Sequence, residues 1–142
     1  MIFVTVGTQD RPFIRLIKAV DEAVKTGKIK DEVVVQAGIA EYKSDYIKAL
    51  NYVPFEEFNN YINTADVIIT HGGVGSILSA IKLGKKVIAV PRLKKYGEHI
   101  NDHQLQVIEK MTRMKEFANE VVMVGGSAVE FYTAASYMTK DI

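Results

Sequence analysis

The amino-acid sequence predicts an α/β domain in which helices cover both faces of a parallel β-sheet, a Rossmann-like, doubly wound fold. Short runs rich in valine and isoleucine alternate along the chain with longer segments that carry apolar residues at helical spacing. A turn with three closely spaced glycines joins one such run to the segment that follows it. Strands that alternate with crossover helices form parallel sheets, so residues 1–142 are expected to fold as one domain.

The first half of the chain predicts three strands and two helices. Residues 2–6 and 33–35 form clear strands, and a short third strand is expected near residues 52–53. Gly7 ends the first strand and Pro54 ends the third. Pro12 suits the first turn of a helix. The apolar face of this helix comprises Phe13, Leu16, Ile17, Val20 and Val24, and that of the second helix comprises Phe55, Phe58, Ile62 and Ala65.

The second half predicts three more strands, at residues 67–70, 86–90 and 121–124. One helix is expected over residues 77–83, where Gly84 provides a C-cap. A second begins at Asp102, which can cap it. Residues 92–101 follow Pro91 and precede the second of these helices. They are polar and show no periodicity, so they predict a loop. The second of these helices carries Leu105, Ile108 and Met111, and a last helix over residues 128–138 follows a turn at Gly125 and Gly126.

Composition and charge exclude several classes of protein. A formal net charge of +1 and basic clusters without interleaved aromatic residues argue against nucleic-acid binding. The absence of cysteine excludes disulfides and thiolate metal sites, which fits a reducing compartment. The N-terminus lacks the basic flank of a signal peptide, and no apolar run approaches the ~20 residues of a membrane span. We therefore expect a cytoplasmic protein.

The turn THGGVGS, residues 70–76, is the feature that points most directly to chemistry. A tight glycine turn before a helix leaves N–H groups unpaired at the positive end of the helix dipole. Without Cβ atoms, the backbone can be approached closely by an anion. The turn therefore favours binding of a phosphate or pyrophosphate, and the alternative is that the glycines serve packing alone.

Two named phosphate motifs do not fit this part of the chain. The dinucleotide pattern G-x-G-x-x-G matches Gly73 and Gly75 but meets Leu78 at its third glycine. The P-loop pattern has Ser79 in place of its first glycine and Lys86 in place of its final serine or threonine. The glycine turn is therefore of a different kind.

Three segments are predicted to meet at one edge of the sheet. Residues 7–11 follow the first strand, residues 71–76 follow the fourth, and residues 92–104 follow the fifth. Ligands of doubly wound domains bind at the carboxyl ends of the strands. The convergence of these segments predicts a ligand site there.

The histidines and lysines of this region allow further interpretations. His99 and His103 stand four residues apart, but they could bind a metal together only on one continuous helix, and Asp102 is expected to start a helix between them. No metal site is therefore expected. A basic cluster could meet lipid headgroups or a diphosphate, although most of it is expected on a solvated face. The cluster comprises Lys85, Lys86, Arg92, Lys94 and Lys95.

Four motifs in this order resemble the C-terminal domain of family 28 glycosyltransferases. They are VTVGT at residues 4–8, THGGVGS at 70–76, PR at 91–92 and EHINDHQ at 98–104. The chain is most similar to the catalytic, donor-binding subunits of two-component enzymes. These include exopolysaccharide and capsule glycosyltransferases of bacteria, and the catalytic half of the eukaryotic enzyme that adds the second N-acetylglucosamine to the dolichol-linked oligosaccharide.

The resemblance implies one half of a GT-B enzyme, an inverting transferase split between two polypeptides. This half would bind a UDP-sugar without a metal ion or cofactor. A membrane-associated, Rossmann-like partner would supply the other half, recruit a polyprenyl-diphosphate-linked acceptor and hold this subunit at the cytoplasmic membrane. The general base is expected on that other half, and His71 and Glu98 are only weak candidates for it.

The resemblance also carries roles for individual residues. The backbone at residues 73–75 and the Ser76 hydroxyl would hold the diphosphate, and Phe55 would lie against the uracil. Residues 102–104 would face the hydroxyls of the donor sugar, and residues 7–8 would shape the floor of the cleft. The full donor-binding set comprises Gly7, Thr8, Phe55, His71, Gly72, Gly73, Val74, Gly75, Ser76, Ser79, Arg92, Glu98, Asn101, Asp102, His103 and Gln104.

Ser79 departs from the family pattern. Many members have an acidic residue there that accepts hydrogen bonds from the ribose, and a serine would hold the ribose more weakly or through water. Glu98 is the nearest candidate to replace that carboxylate.

Two other functions remain open from the sequence. A UDP-sugar epimerase or hydrolase would carry its own acid and base and act alone, and a regulatory subunit would bind the nucleotide without turnover. For the split enzyme, the apolar last helix at residues 128–138 is the candidate element for docking the partner, and the alternative is that it packs wholly on its own sheet.

Overall fold

A computed structural model describes residues 1–7, 10–71 and 73–113 and the backbone of residues 121–123. It contains six parallel strands in the order β3-β2-β1-β4-β5-β6. The strands are β1 Ile2–Thr5, β2 Val33–Gln36, β3 Lys48–Leu50, β4 Val67–Thr70, β5 Lys86–Ala89 and β6 Val121–Met123. The helices are α1 Ile14–Lys25, α2 Phe55–Thr64, α3 Val74–Lys82 and α4 His103–Arg113, with a single 3-10 turn at Lys94–Tyr96.

The doubly wound parallel sheet predicted from the sequence is confirmed. The strand order reverses at β1, which pairs with β2 on one side and with β4 on the other. Because parallel crossovers are right-handed, helices that lead to opposite edges of the sheet lie on opposite faces. The predicted turn at Gly125 and Gly126, the helix at residues 128–138 and its proposed docking role lie outside the described residues.

The four central strands are buried on both faces, which explains their continuous apolar sequences. Alternate residues of β1 enter different layers: Ile2 and Val4 pack with α1, and Phe3 packs in the layer of α2, α3 and α4. The ring of Phe3 stacks on Tyr61 at 5.1 Å between ring centroids and meets Phe58 edge-on at 5.6 Å. Such aromatic contacts fix α2 on the sheet.

The register aligns the carboxyl ends of the strands. Thr5 of β1 lies opposite Gln36 of β2 and Thr70 of β4, and Thr70 lies opposite Ala89 of β5. The loops that follow these strands therefore start from one row of residues. This alignment is what allows distant segments of the chain to meet at one edge.

The third strand is not where the sequence predicted it. The pattern indicated residues 52–53, whereas β3 spans Lys48–Leu50. This strand lies at the edge of the sheet and is exposed or half-buried, so it needs no apolar run. The side chain of Asn51 then leaves the sheet edge and donates to the backbone oxygens of Gly38 and Ala40, both at 2.9 Å.

The remaining boundaries agree with the prediction to within a few residues. Gly84 follows α3 with φ of 72° and donates its N–H to Ile81, as expected of a residue that ends a helix. Helix α4 begins at His103, so His99 lies outside it. Among the described residues, no helix combines the length and the apolar character needed to cross a membrane.

Candidate functional site

A cleft of about 510 Å³ opens at the carboxyl edge of the sheet. It lies where the strand order reverses, between the end of β2, the end of β1 and the start of α3. Its walls come from the ends of three strands and from the first turns of two helices. The lining residues are Thr5, Gly7, Gln36, Val53, Phe55, Phe58, His71, Gly73, Gly75 and Ser76.

The N-terminus of α3 forms one wall of this cleft. Gly73 precedes the helix in an extended conformation, and within the described residues no side chain caps the helix and no acidic residue occupies its first turn. The N–H groups of Val74, Gly75 and Ser76 have no acceptor within the helix. A Cβ added at Gly75 would meet nothing within 4 Å apart from its chain neighbours and the backbone of its own helix. The wall therefore offers a row of open N–H donors to an anion.

His71 forms the floor between the β1 and β4 loops. Its imidazole lies against two glycines: a Cβ on Gly7 would overlap Nε2, and a Cβ on Gly73 would be 2.7 Å from the same atom. Gly7 also has φ of 78°, in the left-handed region. Both positions therefore require glycine, because only a residue without Cβ leaves room for the ring.

The imidazole of His71 is neutral at pH 7. The residue is 7% exposed, and burial together with the positive charge of Arg92 lowers the pKa of its side chain from 6.5 to about 4. The amide of Gln104 lies 3.3 Å from Nδ1. A neutral histidine keeps one N–H group and can donate a hydrogen bond without adding charge to the cleft floor.

Arg92 is fully buried beneath this floor. Its guanidinium donates to the backbone oxygens of Val6 at 2.7 Å, Arg11 at 2.7 Å and Glu98 at 3.1 Å, and its charged end lies 5.0 Å from the centre of the Phe13 ring. Arg92 thus ties the loop after β1 to the loop after β5. The hydrogen bonds described for Arg92 are internal and the cleft lining does not include it, so its predicted contact with the donor stays a prediction.

Glu98 also points away from the cleft. Its carboxylate accepts hydrogen bonds from Nε and Nη2 of Arg15, both at 3.0 Å, and from the backbone N–H of Leu93 at 3.1 Å. The side chain is 5% exposed. A carboxylate engaged in this way holds the loop after β5. These contacts do not favour Glu98 as a substitute ribose ligand or as the weak candidate for the general base, and both roles stay predictions.

The other predicted residues of this loop lie at the exposed start of α4. The Asn101 side chain accepts the backbone N–H of His103 at 2.9 Å, and that of Asp102 accepts the N–H of Lys94 at 2.9 Å. Gln104 is buried, whereas His103 is exposed. Of the three residues expected to face the sugar, Gln104 is the one that reaches the cleft floor, through its contact with His71.

Phe55 and Ser79 differ in whether they line the cleft. Phe55 stands at the start of α2, lines the cleft and is 79% exposed, so its ring is available for stacking. Ser79 is exposed on α3 and is not part of the described lining. Thr8 and Gly72 of the predicted set lie outside the described residues.

The pair formed by Thr5 and Gln36 was not predicted from the sequence. The Thr5 hydroxyl donates to Oε1 of Gln36 at 3.0 Å, and both buried residues line the cleft. Each is the last residue of its strand, and the strand ends are aligned. A polar residue that closes a buried apolar strand is the signal that could have identified them.

Metal ligands do not gather here. In the part of the chain that the structure describes, no three histidine, aspartate or glutamate side chains are arranged to hold a metal ion.

The predicted solvated face of the basic cluster is confirmed for Lys94 and Lys95, which are exposed, and is wrong for Arg92.

Comparisons with known proteins identify the family of the chain. Residues 1–125 match the glycosyltransferase family 28 C-terminal domain. Over 77 residues, or 54% of this chain, the sequence is 31% identical to the UDP-N-acetylglucosamine transferase subunit ALG13 of Candida albicans. It is 27% identical over 81 residues to the subunit of the same name from Debaryomyces hansenii. The matches cover 25% and 36% of those two relatives.

The fold is shared with a solved glycosyltransferase. The glycotransferase of kitacinnamycin superposes on 99% of this chain with a TM-score of 0.67 at 15% sequence identity. The chain corresponds to 35% of that protein. The likeness at this identity concerns the fold.

The fit of His71 against Gly7 predicts a measurable loss of stability. Gly7→Ala and Gly27→Ala both place a side chain at positive φ, 78° and 79°, which costs about 1–2 kcal/mol. Only Gly7→Ala also forces a Cβ into the imidazole, because Gly27 has nothing within 4 Å. Urea denaturation should show that Gly7→Ala loses at least ~1 kcal/mol more. Equal losses would contradict the tight fit.

Proposed function

The chain belongs to the glycosyltransferase family 28 C-terminal domains, and we propose that it is the donor-binding, catalytic subunit of a two-component, inverting glycosyltransferase that uses a UDP-sugar. The observation that carries this proposal is the uncapped N-terminus of α3 beside a neutral histidine on the cleft floor. Both features supply hydrogen-bond donors for an anion. Neither requires a bound cation.

The chemistry of sugar transfer explains why such donors would matter. The acceptor hydroxyl attacks the anomeric carbon, the bond from that carbon to the diphosphate breaks, and negative charge develops on the departing UDP. Backbone N–H groups at a helix N-terminus are already oriented toward that charge and need no rearrangement as it forms. The N–H groups of Val74, Gly75 and Ser76 would stabilise the leaving group in this way, with the Ser76 hydroxyl beside them.

The remaining lining suits the other parts of a nucleotide. Phe55 and Val53 form an apolar rim on which the uracil would stack, and the polar pair of Thr5 and Gln36 lies between that rim and the α3 wall. The support for a nucleotide is this order: an aromatic surface, then polar side chains, then open backbone donors. In the proposed complex the exposed start of α4, at Asn101 and Asp102, would approach the sugar.

A partner subunit is proposed to cover the cleft. Several large apolar side chains on the loops and helix starts at the carboxyl edge of the sheet are 39–79% exposed: Ile39, Tyr52, Phe55, Val74, Tyr96 and Ile100. Exposed apolar groups concentrated on one edge are typical of an interaction surface. The chain also matches only 35% of the solved glycosyltransferase and a minor part of the two ALG13 subunits.

The proposal extends to the partner and the acceptor. We propose a Rossmann-like, membrane-associated partner that supplies the acceptor site and the general base. The acceptor would be a polyprenyl-diphosphate-linked sugar in exopolysaccharide or capsule-type synthesis. The subunit would then act in the cytoplasm, at the membrane surface, through its partner.

Binding of UDP, through its diphosphate, is the first test of this function. The chain is expected to bind UDP in calorimetry with a chelator present, and Gly75→Leu should weaken binding by about 1–3 kcal/mol because its side chain enters open space beside the helix N-terminus. Lys82→Leu, at the other end of α3, is the matched control. A requirement for magnesium, or equal affinities of the two variants, would contradict the proposal.

Ser79 offers a test of the ribose site. If the ribose lies near this face of α3, Ser79→Glu should tighten UDP binding by about 1 kcal/mol, because a carboxylate accepts hydrogen bonds from both ribose hydroxyls. Ser79→Gln has similar length without the charge and should gain less. Weaker binding by a folded Glu variant would show that the ribose lies elsewhere.

Turnover separates the split transferase from the other functions. The chain alone should neither transfer a sugar nor convert a UDP-sugar, and sugar transfer should appear when the partner and a polyprenyl-diphosphate acceptor are added together. Product analysis by mass spectrometry measures both activities. Conversion of UDP-sugar by the chain alone would indicate an epimerase or hydrolase, and binding without turnover in the full mixture would indicate a regulatory subunit.

A further inference from the structure

Gln104 connects the loop after β5 to the histidine on the cleft floor. Its Oε1 lies 3.1 Å from the backbone nitrogen of Arg92, and its Nε2 lies 3.3 Å from Nδ1 of His71. The residue is 6% exposed. Both ends of its amide are therefore engaged inside the protein.

The chemistry of the contacts fixes the orientation of this amide. A backbone N–H group can only donate, so the atom that faces Arg92 must be the carbonyl oxygen of the side chain. The NH2 group then faces His71, and it too can only donate. Nδ1 of His71 must accept with its lone pair and carries no proton.

A neutral imidazole carries one N–H group, which in this arrangement lies on Nε2. The groups that act on the ring's charge are the guanidinium of Arg92, the side chain of His99 and the amide of Gln104. On its Nε2 side the ring meets Gly7 and Gly73, which contribute no charge. Burial and the nearby cation lower the pKa of His71 to about 4, so the neutral form prevails at pH 7.

The Nε2 edge is the part of the ring that faces the cleft. It lies between the two glycines that line the cleft, and the helix of the open N–H groups begins one residue after Gly73. A proton on Nε2 makes this edge a donor to the same anion. A proton on Nδ1 would instead present a lone pair, which repels an anion.

We propose that Gln104 is a positioning residue that holds His71 in the Nε2–H tautomer, so that a neutral hydrogen-bond donor faces the diphosphate beside the N-terminus of α3. The inference rests on the proposed function for the identity of the anion. It assigns Gln104 a role through His71, where the family resemblance implied contact with the donor sugar. It also excludes His71 as the general base, since Nε2 is already protonated and Nδ1 is buried against Gln104.

The tautomer is measured without any ligand. In the ¹⁵N-labelled chain at pH 7, long-range ¹H–¹⁵N spectra should show that His71 has a protonated, pyrrole-type Nε2 and an unprotonated, pyridine-type Nδ1. Gln104→Glu places a second acceptor opposite Nδ1, so the proton should move to Nδ1 or be shared by both nitrogens. Gln106→Glu makes the same change at an exposed position on α4 and should leave the ring unchanged.

Binding provides the second readout. UDP affinity should fall about tenfold in Gln104→Met, the loss expected for one hydrogen bond to a charged group, and should stay at the wild-type value in Gln106→Met. A protonated Nδ1 in the wild type, or an unchanged ring in folded Gln104→Glu, would overturn the inference. The expected ring states in a chain that binds no UDP would support the role of Gln104 and contradict the proposed function instead.

Discussion

The buried guanidinium of Arg92 is the interaction on which the geometry of the site depends. A charge without exposure to water is costly unless it is hydrogen-bonded, and three backbone oxygens and an aromatic ring compensate this one. Two of those oxygens belong to the loop after β1 and the third to the loop after β5. Burying the charge therefore requires the two loops to approach each other. The ion pair of Arg15 and Glu98 also fixes the loop after β5, by joining it to α1.

The histidine on the cleft floor occupies a position that this arrangement creates. Its ring fits only because Gly7 and Gly73 lack side chains, and the backbone of Arg92 orients the amide that contacts it. The same cation disfavours a second positive charge on the ring. Steric fit and electrostatics thus act together, and the result is a polar but uncharged floor beside a helix N-terminus that attracts anions.

Much of the fold could be predicted from the sequence because its signals are local. The buried strands are continuous apolar runs, and α1 to α4 carry their apolar residues at helical spacing. The edge strand β3 was misplaced because an exposed strand requires no apolar pattern, and its position depends on pairing with β2. The pair of Thr5 and Gln36 escaped notice because two strand ends that lie 31 residues apart become neighbours only through the register.

The sequence by itself determined the parallel α/β fold, the glycine turn before a helix and the edge of the sheet at which the loops converge. These follow from periodicity, from the conformational range of glycine and from the rules of parallel sheets. Only the tertiary structure decided which polar side chains face the cleft. It turned Arg92 and Glu98 inward and set Gln104 against His71. The physical reason is that burial and hydrogen-bond partners depend on contacts between residues far apart in the chain, and a linear pattern carries no information on those contacts.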